Sequence, residues 1–237
     1  MRIVLTRPQD DSERTAAALR AHGHEMLIAP LLRIETLPAA LHDRYGGVVI
    51  TSANAAAAIA DHPARAALIG LPLYAVGKRS GDAASDAGFT DIHIAGGDAV
   101  DLVRLIAEQR PDARAPLLYL AGEDRAADLT GDLAVHDIAV ELAVIYRAVP
   151  QPFPAELTAA LENHAVDAVM HFSKRSAAHY ITGARDADIA DAALGVRHLC
   201  LSAQVAAPLR EAGATRIDVA KRPDESAMIA LTDQTAA

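Results

Sequence analysis

Hydrophobic positions along the chain fall into two rhythms that take turns. Short apolar runs of β type, such as IVL (3–5), VVI (48–50), LYAV (73–76), LLYL (117–120), VELAVI (140–145), DAVMHF (167–172) and HLCL (198–201), alternate with stretches of helical spacing. That alternation predicts βαβ units and mostly parallel sheets covered on both faces. Helices are expected over 11–21 and about 125–134, among others. Gly23, Gly88 and Gly213 each follow a helical stretch, where a left-handed cap residue is expected.

The pattern also repeats. RIVLTR (2–7), a helix and EMLIAPLLRIE (25–35) resemble PLLYLAGEDR (116–125), a helix and AVELAVIYRAVP (139–150). YGGVVITSANAAAAI (45–59) resembles AVDAVMHFSKRSAAHYI (165–181), and LYAVGKRS onward (73–108) resembles HLCLSAQV onward (198–233). The chain is therefore two copies of one three-part unit. Two segments read as connectors: LLRIETLPAAL (31–41) and IYRAVPQPFPAE (145–156), whose three prolines resist helix and sheet ladders. Two connectors imply a discontinuous domain of 1–35 plus 150–237 and a second domain of 36–147. The residues alone also permit a cut near 114 into consecutive copies.

Composition narrows the function classes. Of 237 residues, 51% are hydrophobic and 22% charged, which supplies a core. A net charge of −9 and only 3% aromatic residues argue against a nucleic-acid partner. A single cysteine, Cys200, excludes an internal disulfide and reads as buried filler. No apolar stretch is long enough for a membrane span, and the start MRIVLTRPQDD lacks the apolar stretch of a signal peptide, so a cytoplasmic protein is expected.

In open α/β sheets, ligands bind beyond the carboxyl ends of the strands. The residues there include Thr6 and Arg7, Thr51, Ser52 and Asn54, Lys78, Arg79 and Ser80, Gly122 to Arg125, Ser173 to Ser176, and Ser202 to Gln204. Their cations suggest a locally basic rim for a small anionic ligand held between two domains. Taken singly, each hydroxyl there also reads as an ordinary helix N-cap. Ser52 and Ser173, matched across the repeat, read as a pair lining one crevice. Gly77-Lys78-Arg79-Ser80 is no phosphate loop, because Pro72 stands where the first glycine is needed. His22 and His24 without cysteine pairs or an HExxH motif make no metal site, and His171 reads as a packed or hydrogen-bonded histidine. Tyr146 ends a strand-like run where the chain turns into its second connector. There it can aim a proton-donating phenol at the cleft, or pack the hinge.

In order and spacing, VLTRP (4–8), APLLRIE (29–35), VITSANA (49–55), LYAVGKRS with AGF (87–89), GED-R (122–125), VIYRAVP (144–150) and DAVMHFS (167–173) resemble the uroporphyrinogen-III synthase family over nearly the whole chain. The resemblance implies two flavodoxin-like domains with parallel sheets, joined by a two-stranded connector, the chain swapping between domains. This decides for the discontinuous division. It implies a monomeric, cytoplasmic, cofactor-free and metal-free lyase that cyclises hydroxymethylbilane to uroporphyrinogen III, with transient contact to hydroxymethylbilane synthase. Matching positions point to Tyr146 as the catalytic residue, with Ser52, Ser80 and Ser173 around the cleft and Thr51, Thr6 and Arg7 nearby. Asn54, Lys78, Gly122, Arg175 and Ser202 complete the expected substrate contacts. Departures from the family pattern are Phe172 for a threonine, Lys174 for a proline, and Leu201-Ser202-Ala203-Gln204-Val205, which lacks the family turn's two threonines. The competing reading is a non-catalytic two-domain binding protein for a small anion.

Overall fold

The structure, a computed structural model, describes residues 1–42, 44–109, 114–125 and 127–233. Their strands are β1 (Arg2–Leu5), β2 (Glu25–Ile28), β3 (Leu32–Thr36), β4 (Gly47–Ile50), β5 (Leu73–Val76), β6 (Ile92–Ala95), β7 (Leu117–Gly122), β8 (Val140–Pro150), β9 (Ala168–His171), β10 (Arg197–Cys200) and β11 (Ile217–Val219). The chain divides into two compact units, one of Met1–Arg33 with Val149–Ala237 and one of Ile34–Ala148.

Unit 1 holds a five-stranded sheet in the order β11-β10-β9-β1-β2, its pairs all parallel. This is the flavodoxin-like order. The central strands β1 and β9 are apolar over most of their length because helices cover both faces; Ile3, Val4, Leu5, Ala168, Val169 and Met170 are wholly buried. Unit 2 holds a six-stranded sheet in the order β3-β8-β7-β4-β5-β6. Matching strands by the sequence repeat (β1 with β7, β2 with β8, β9 with β4, β10 with β5, β11 with β6) gives both sheets the same spatial order. The unit 1 sheet therefore takes two strands from the first copy and three from the second, and the unit 2 sheet four from the first and two from the second, which local periodicity cannot reveal.

The left-handed glycines stand where expected, with φ of 78° at Gly23, 101° at Gly88 and 103° at Gly213. Two expectations need correction. The proline-rich segment does not resist the ladder at its start, since β8 continues to Pro150 and only Pro152 and Pro154 lie outside it. Pro150 is the last residue of its strand, where a missing N–H costs little. The other connector segment, 31–41, contains the strand β3, which runs opposite to β8: Leu37 N–H donates to the Ile145 carbonyl, and Gln151 N–H to the Leu31 carbonyl. The helix expected over 125–134 is Leu129–Ala134, started by Asp128, whose carboxylate accepts the Gly131 N–H. Residue 126 of that expectation lies outside the described residues.

Candidate functional site

Two strand ends and the middle of a third strand meet at the carboxyl edge of the unit 2 sheet; Tyr146 does not end its strand as expected, since β8 runs on to Pro150. β4 ends at Ile50, after which Thr51 and Ser52 lead into the helix Ala53–Ala60. Ser52 is extended (φ −149°, ψ 142°) and its hydroxyl accepts the Asn54 N–H at 3.2 Å, an N-cap. β7 lies beside β4 and ends at Gly122, and β8 lies beside β7.

The β7–β8 ladder carries a fault that matters. Residues pair in steady register from Leu117 with Val140 to Ala121 with Val144, and then Gly122 pairs with Tyr146, skipping Ile145. A bulge of this kind turns consecutive side chains toward one face. Ile145 and Tyr146 accordingly both pack on the cluster that contains Val48, Ile50 and Leu120. The bulge thus brings the phenol over Gly122, where a Cβ would lie 2.7 Å from the Tyr146 Cζ and 2.9 Å from its hydroxyl. Only glycine leaves that space.

The result is a cavity of about 320 Å³ lined by Thr51, Ser52, Tyr119, Gly122, Asp124, Arg125 and Tyr146, with Val76, Ala99, Ala127 and Leu129. Ser52 and the Tyr146 phenol line it together. The Thr51 hydroxyl hydrogen-bonds that of Tyr119 at 3.1 Å. Burial raises the Tyr146 pKa above its ordinary value; the Ser52 hydroxyl beside it pulls it down, and Tyr119 and Asp124 raise it further. The phenol therefore stays protonated through the neutral range and is available as a donor. Chemically, the arrangement can offer O–H donors and one guanidinium to an oxygen-rich anion.

Of the expected site residues, Thr51, Ser52, Gly122 and Tyr146 line this cavity. Asn54, Lys78 and Ser80 belong to the same unit but not to its described lining. Asn54 sits in the first turn of its helix, Lys78 pairs with Asp82 at 2.6 Å on the surface, and Ser80 is buried inside the helix Gly77–Asp86. Thr6, Arg7, Ser173, Arg175 and Ser202 are in unit 1. Thr6 is wholly buried and donates to the Met170 carbonyl at 3.3 Å. Arg7 is no rim cation: it is 8% exposed, stacks 4.2 Å from the Phe172 ring centre, and faces Asp11 at 3.4 Å, Glu225 at 3.5 Å and Thr15 at 3.1 Å. A guanidinium withdrawn from water needs such partners. The expected basic rim is therefore neutralised at Arg7 and Lys78. Ser173 caps the helix Lys174–Asp186, accepting the Ser176 N–H at 3.0 Å and donating to the Ser176 hydroxyl at 2.9 Å. Arg175 lies in the first turn of that helix. Ser202 caps the helix Ala203–Glu211 through the Val205 N–H at 3.4 Å.

His171 is buried and hydrogen-bonded, its Nε2 lying 3.1 Å from Nδ1 of His198. Burial pushes the His171 pKa well down, helped by His198, and pushes that of His198 down to about 4 against a backbone hydrogen bond at Leu194. Cys200 is buried and its thiol is pushed up to about 12 by that burial. No group of three or more His, Cys, Asp or Glu among the described residues is placed to hold a metal. No helix among them is long and apolar enough to cross a membrane. Tyr119 was the residue missed. In LLYLAG it reads as one more buried strand position, and its only signal is a hydroxyl three residues before the strand's end.

A family model described as uroporphyrinogen-III synthase HemD matches residues 13–230. No curated protein sequence matches the chain. Among solved structures, a uroporphyrinogen-III synthetase from Helicobacter pylori is similar at 18% identity with a TM-score of 0.66, each chain covered to 98%. A mutant uroporphyrinogen III synthase from Thermus thermophilus is similar at 18% identity with a TM-score of 0.54, again with 98% of each chain covered. At such identities the structures speak to the fold, two parallel-sheet α/β units, while the family match spans most of the sequence. The chain belongs to the uroporphyrinogen-III synthase family, the cyclising lyases of porphyrin biosynthesis.

Proposed function

We propose that this chain cyclises hydroxymethylbilane to uroporphyrinogen III, with Tyr146 assisting departure of the hydroxymethyl hydroxyl. The single observation that carries the assignment of Tyr146 is its placement: a bulge and a side-chain-free Gly122 admit a protonated phenol, beside Ser52, into the cavity.

The reaction needs little more from the protein than a donor and a fold for the substrate. Loss of the hydroxyl as water leaves an azafulvene cation on ring A, which attacks the substituted carbon of ring D to give a spiro intermediate. Fragmentation and reclosure then invert ring D. The linear substrate closes without inversion in the absence of enzyme, so positioning decides the outcome. A phenol hydrogen-bonded to the departing oxygen stabilises the charge that develops there, and the proton needed for water to leave passes along that bond. Thr51, Ser52 and Arg125 supply hydrogen bonds to substrate oxygens. In unit 1, the capped helix starts at Ser173 and Ser202, with Arg175, offer further carboxylate contacts, since helix N-termini favour anions. We place the enzyme in the cytoplasm as a monomer, taking its unstable substrate directly from hydroxymethylbilane synthase.

The test is an isomer assay. Hydroxymethylbilane is generated freshly by its synthase, this protein is added, and the oxidised products are separated as types I and III. A shift to type III supports the reading. Type I alone, from folded protein that binds the substrate, replaces it with a non-catalytic anion-binding protein.

A further inference from the structure

Two consecutive residues just past the end of β4 carry hydroxyls, and each faces a phenol from another strand. Ser52 shares the cavity lining with Tyr146 of β8, and Thr51 is hydrogen-bonded to Tyr119 of β7. The reading above uses the first pair and leaves the second unexplained. Tyr119 stands opposite Val49, so its ring lies along the strand and its hydroxyl reaches the sheet edge at Thr51. Only 4% of the residue is exposed. A phenol buried to this degree needs a partner, and Thr51 provides it.

The fold itself does not require this pair. In unit 1 the equivalent strands are β9 and β1, where Met170 pairs with Leu5 as Val49 pairs with Tyr119. Leu5 thus occupies the place of Tyr119, and Phe172, just before the capping Ser173, occupies that of Thr51. The same strand crossing is built there from two apolar side chains, so a hydroxyl–phenol pair in unit 2 is surplus to folding.

We propose that Tyr119 is a positioning residue: it holds the Thr51 hydroxyl so that its proton points into the cavity beside the Tyr146 phenol, giving the substrate a second donor. A threonine hydroxyl has one proton and two lone pairs. If the phenol donates to Thr51 Oγ1, the threonine proton remains available, and the donated bond polarises it toward a stronger donor. The neighbouring pair works in the same sense. The Ser52 hydroxyl accepts from the Asn54 N–H and its own proton can reach Tyr146, leaving the phenol's proton for the cavity. Two aligned donors suit one departing oxygen or the two oxygens of a substrate carboxylate. This inference rests on the synthase reading.

The test is a double-mutant cycle under single turnover with enzyme in excess, reading the rate and the share of type III product. Tyr119→Phe keeps the ring in place and Thr51→Val removes the hydroxyl; each is expected to slow type III formation by about tenfold with little change in KM. The double variant is expected to be no slower than Thr51→Val alone, because Tyr119 acts only through Thr51. Thr51→Ser, which keeps a hydroxyl, should recover most of the rate. A Tyr119→Phe enzyme as fast as wild type, or a double variant whose losses multiply, overturns the inference and leaves the synthase reading standing. A wild type that yields only type I overturns both.

Discussion

At residue 52 in unit 2 and residue 173 in unit 1, a parallel strand ends, an extended serine follows, and its hydroxyl caps an alanine-bearing helix. The backbones nearly coincide, with φ and ψ of −149° and 142° at Ser52 against −144° and 148° at Ser173. Their surroundings do not. Ser52 borders a cavity beside a phenol, whereas the Ser173 hydroxyl bonds to Ser176 of the helix it caps. The strands behind them differ in the same direction. Unit 2 places Thr51 and Tyr119 where unit 1 has Phe172 and Leu5, and places Ile50 and Leu73 where unit 1 has the buried pair His171 and His198. A duplicated fold therefore keeps its caps for stability in both copies, while the polar groups that could do chemistry are gathered at one sheet edge.

The comparison can be broken most severely at Gly122. Gly122→Ala puts a methyl within 3 Å of the Tyr146 ring, so the phenol must shift. Displacement of a reacting group on that scale is expected to cost about a hundredfold in type III formation, checked by single-turnover kinetics with a thermal melt to show folded protein. The serines come next. Ser52→Ala and Ser173→Ala should each cost about 1 kcal/mol of stability as lost caps, measured by denaturant unfolding. Only Ser52→Ala should also lower kcat, by about tenfold through its place beside Tyr146; Ser173→Ala should act on KM, and equal kcat losses would erase the contrast between the turns.

Acid should separate the two units. A histidine whose folded pKa is depressed favours the neutral folded form. Its stabilisation is complete above the unfolded pKa of about 6.5 and is lost as pH falls through the folded value. For His198 that value is about 4, and His171 is lowered as well, so unit 1 should weaken between these limits. Hydrogen exchange at pH 7 and pH 4.5 should show protection falling faster in β9 and β10 than in β4 and β5. A uniform loss would refute the assignment. The smallest effect is expected at Lys78, whose side chain is 82% exposed and paired with exposed Asp82 on its own helix. Lys78→Ala should change stability by less than about 0.5 kcal/mol and leave the isomer ratio alone.

Much of this architecture could be read from residue patterns. Strand runs, helix-following glycines and the repeat are local signals, and each has a local physical cause. Ser52 and Ser173 were recognisable as strand-end hydroxyls for the same reason. What could not be read were facts of register. The skipped Ile145 that turns Tyr146 over Gly122 leaves no mark in VIYRAV, and Tyr119 looks like any buried strand residue until β4 is laid beside β7. Arg7 looked like a cation at a ligand edge. Its partners Asp11, Glu225 and Phe172 arrive from other elements of the chain and turn it into a buried strut.

The most direct test of the account is the Tyr146→Phe enzyme under single turnover, with both the rate of substrate consumption and the split between type I and type III measured. Phenylalanine keeps the ring over Gly122 and removes only the donor. The account predicts slower consumption, by about a hundredfold as befits a lost general acid, and a product mixture moved toward type I as spontaneous closure competes. Unchanged consumption and undiminished type III would contradict it and remove Tyr146 from the chemistry.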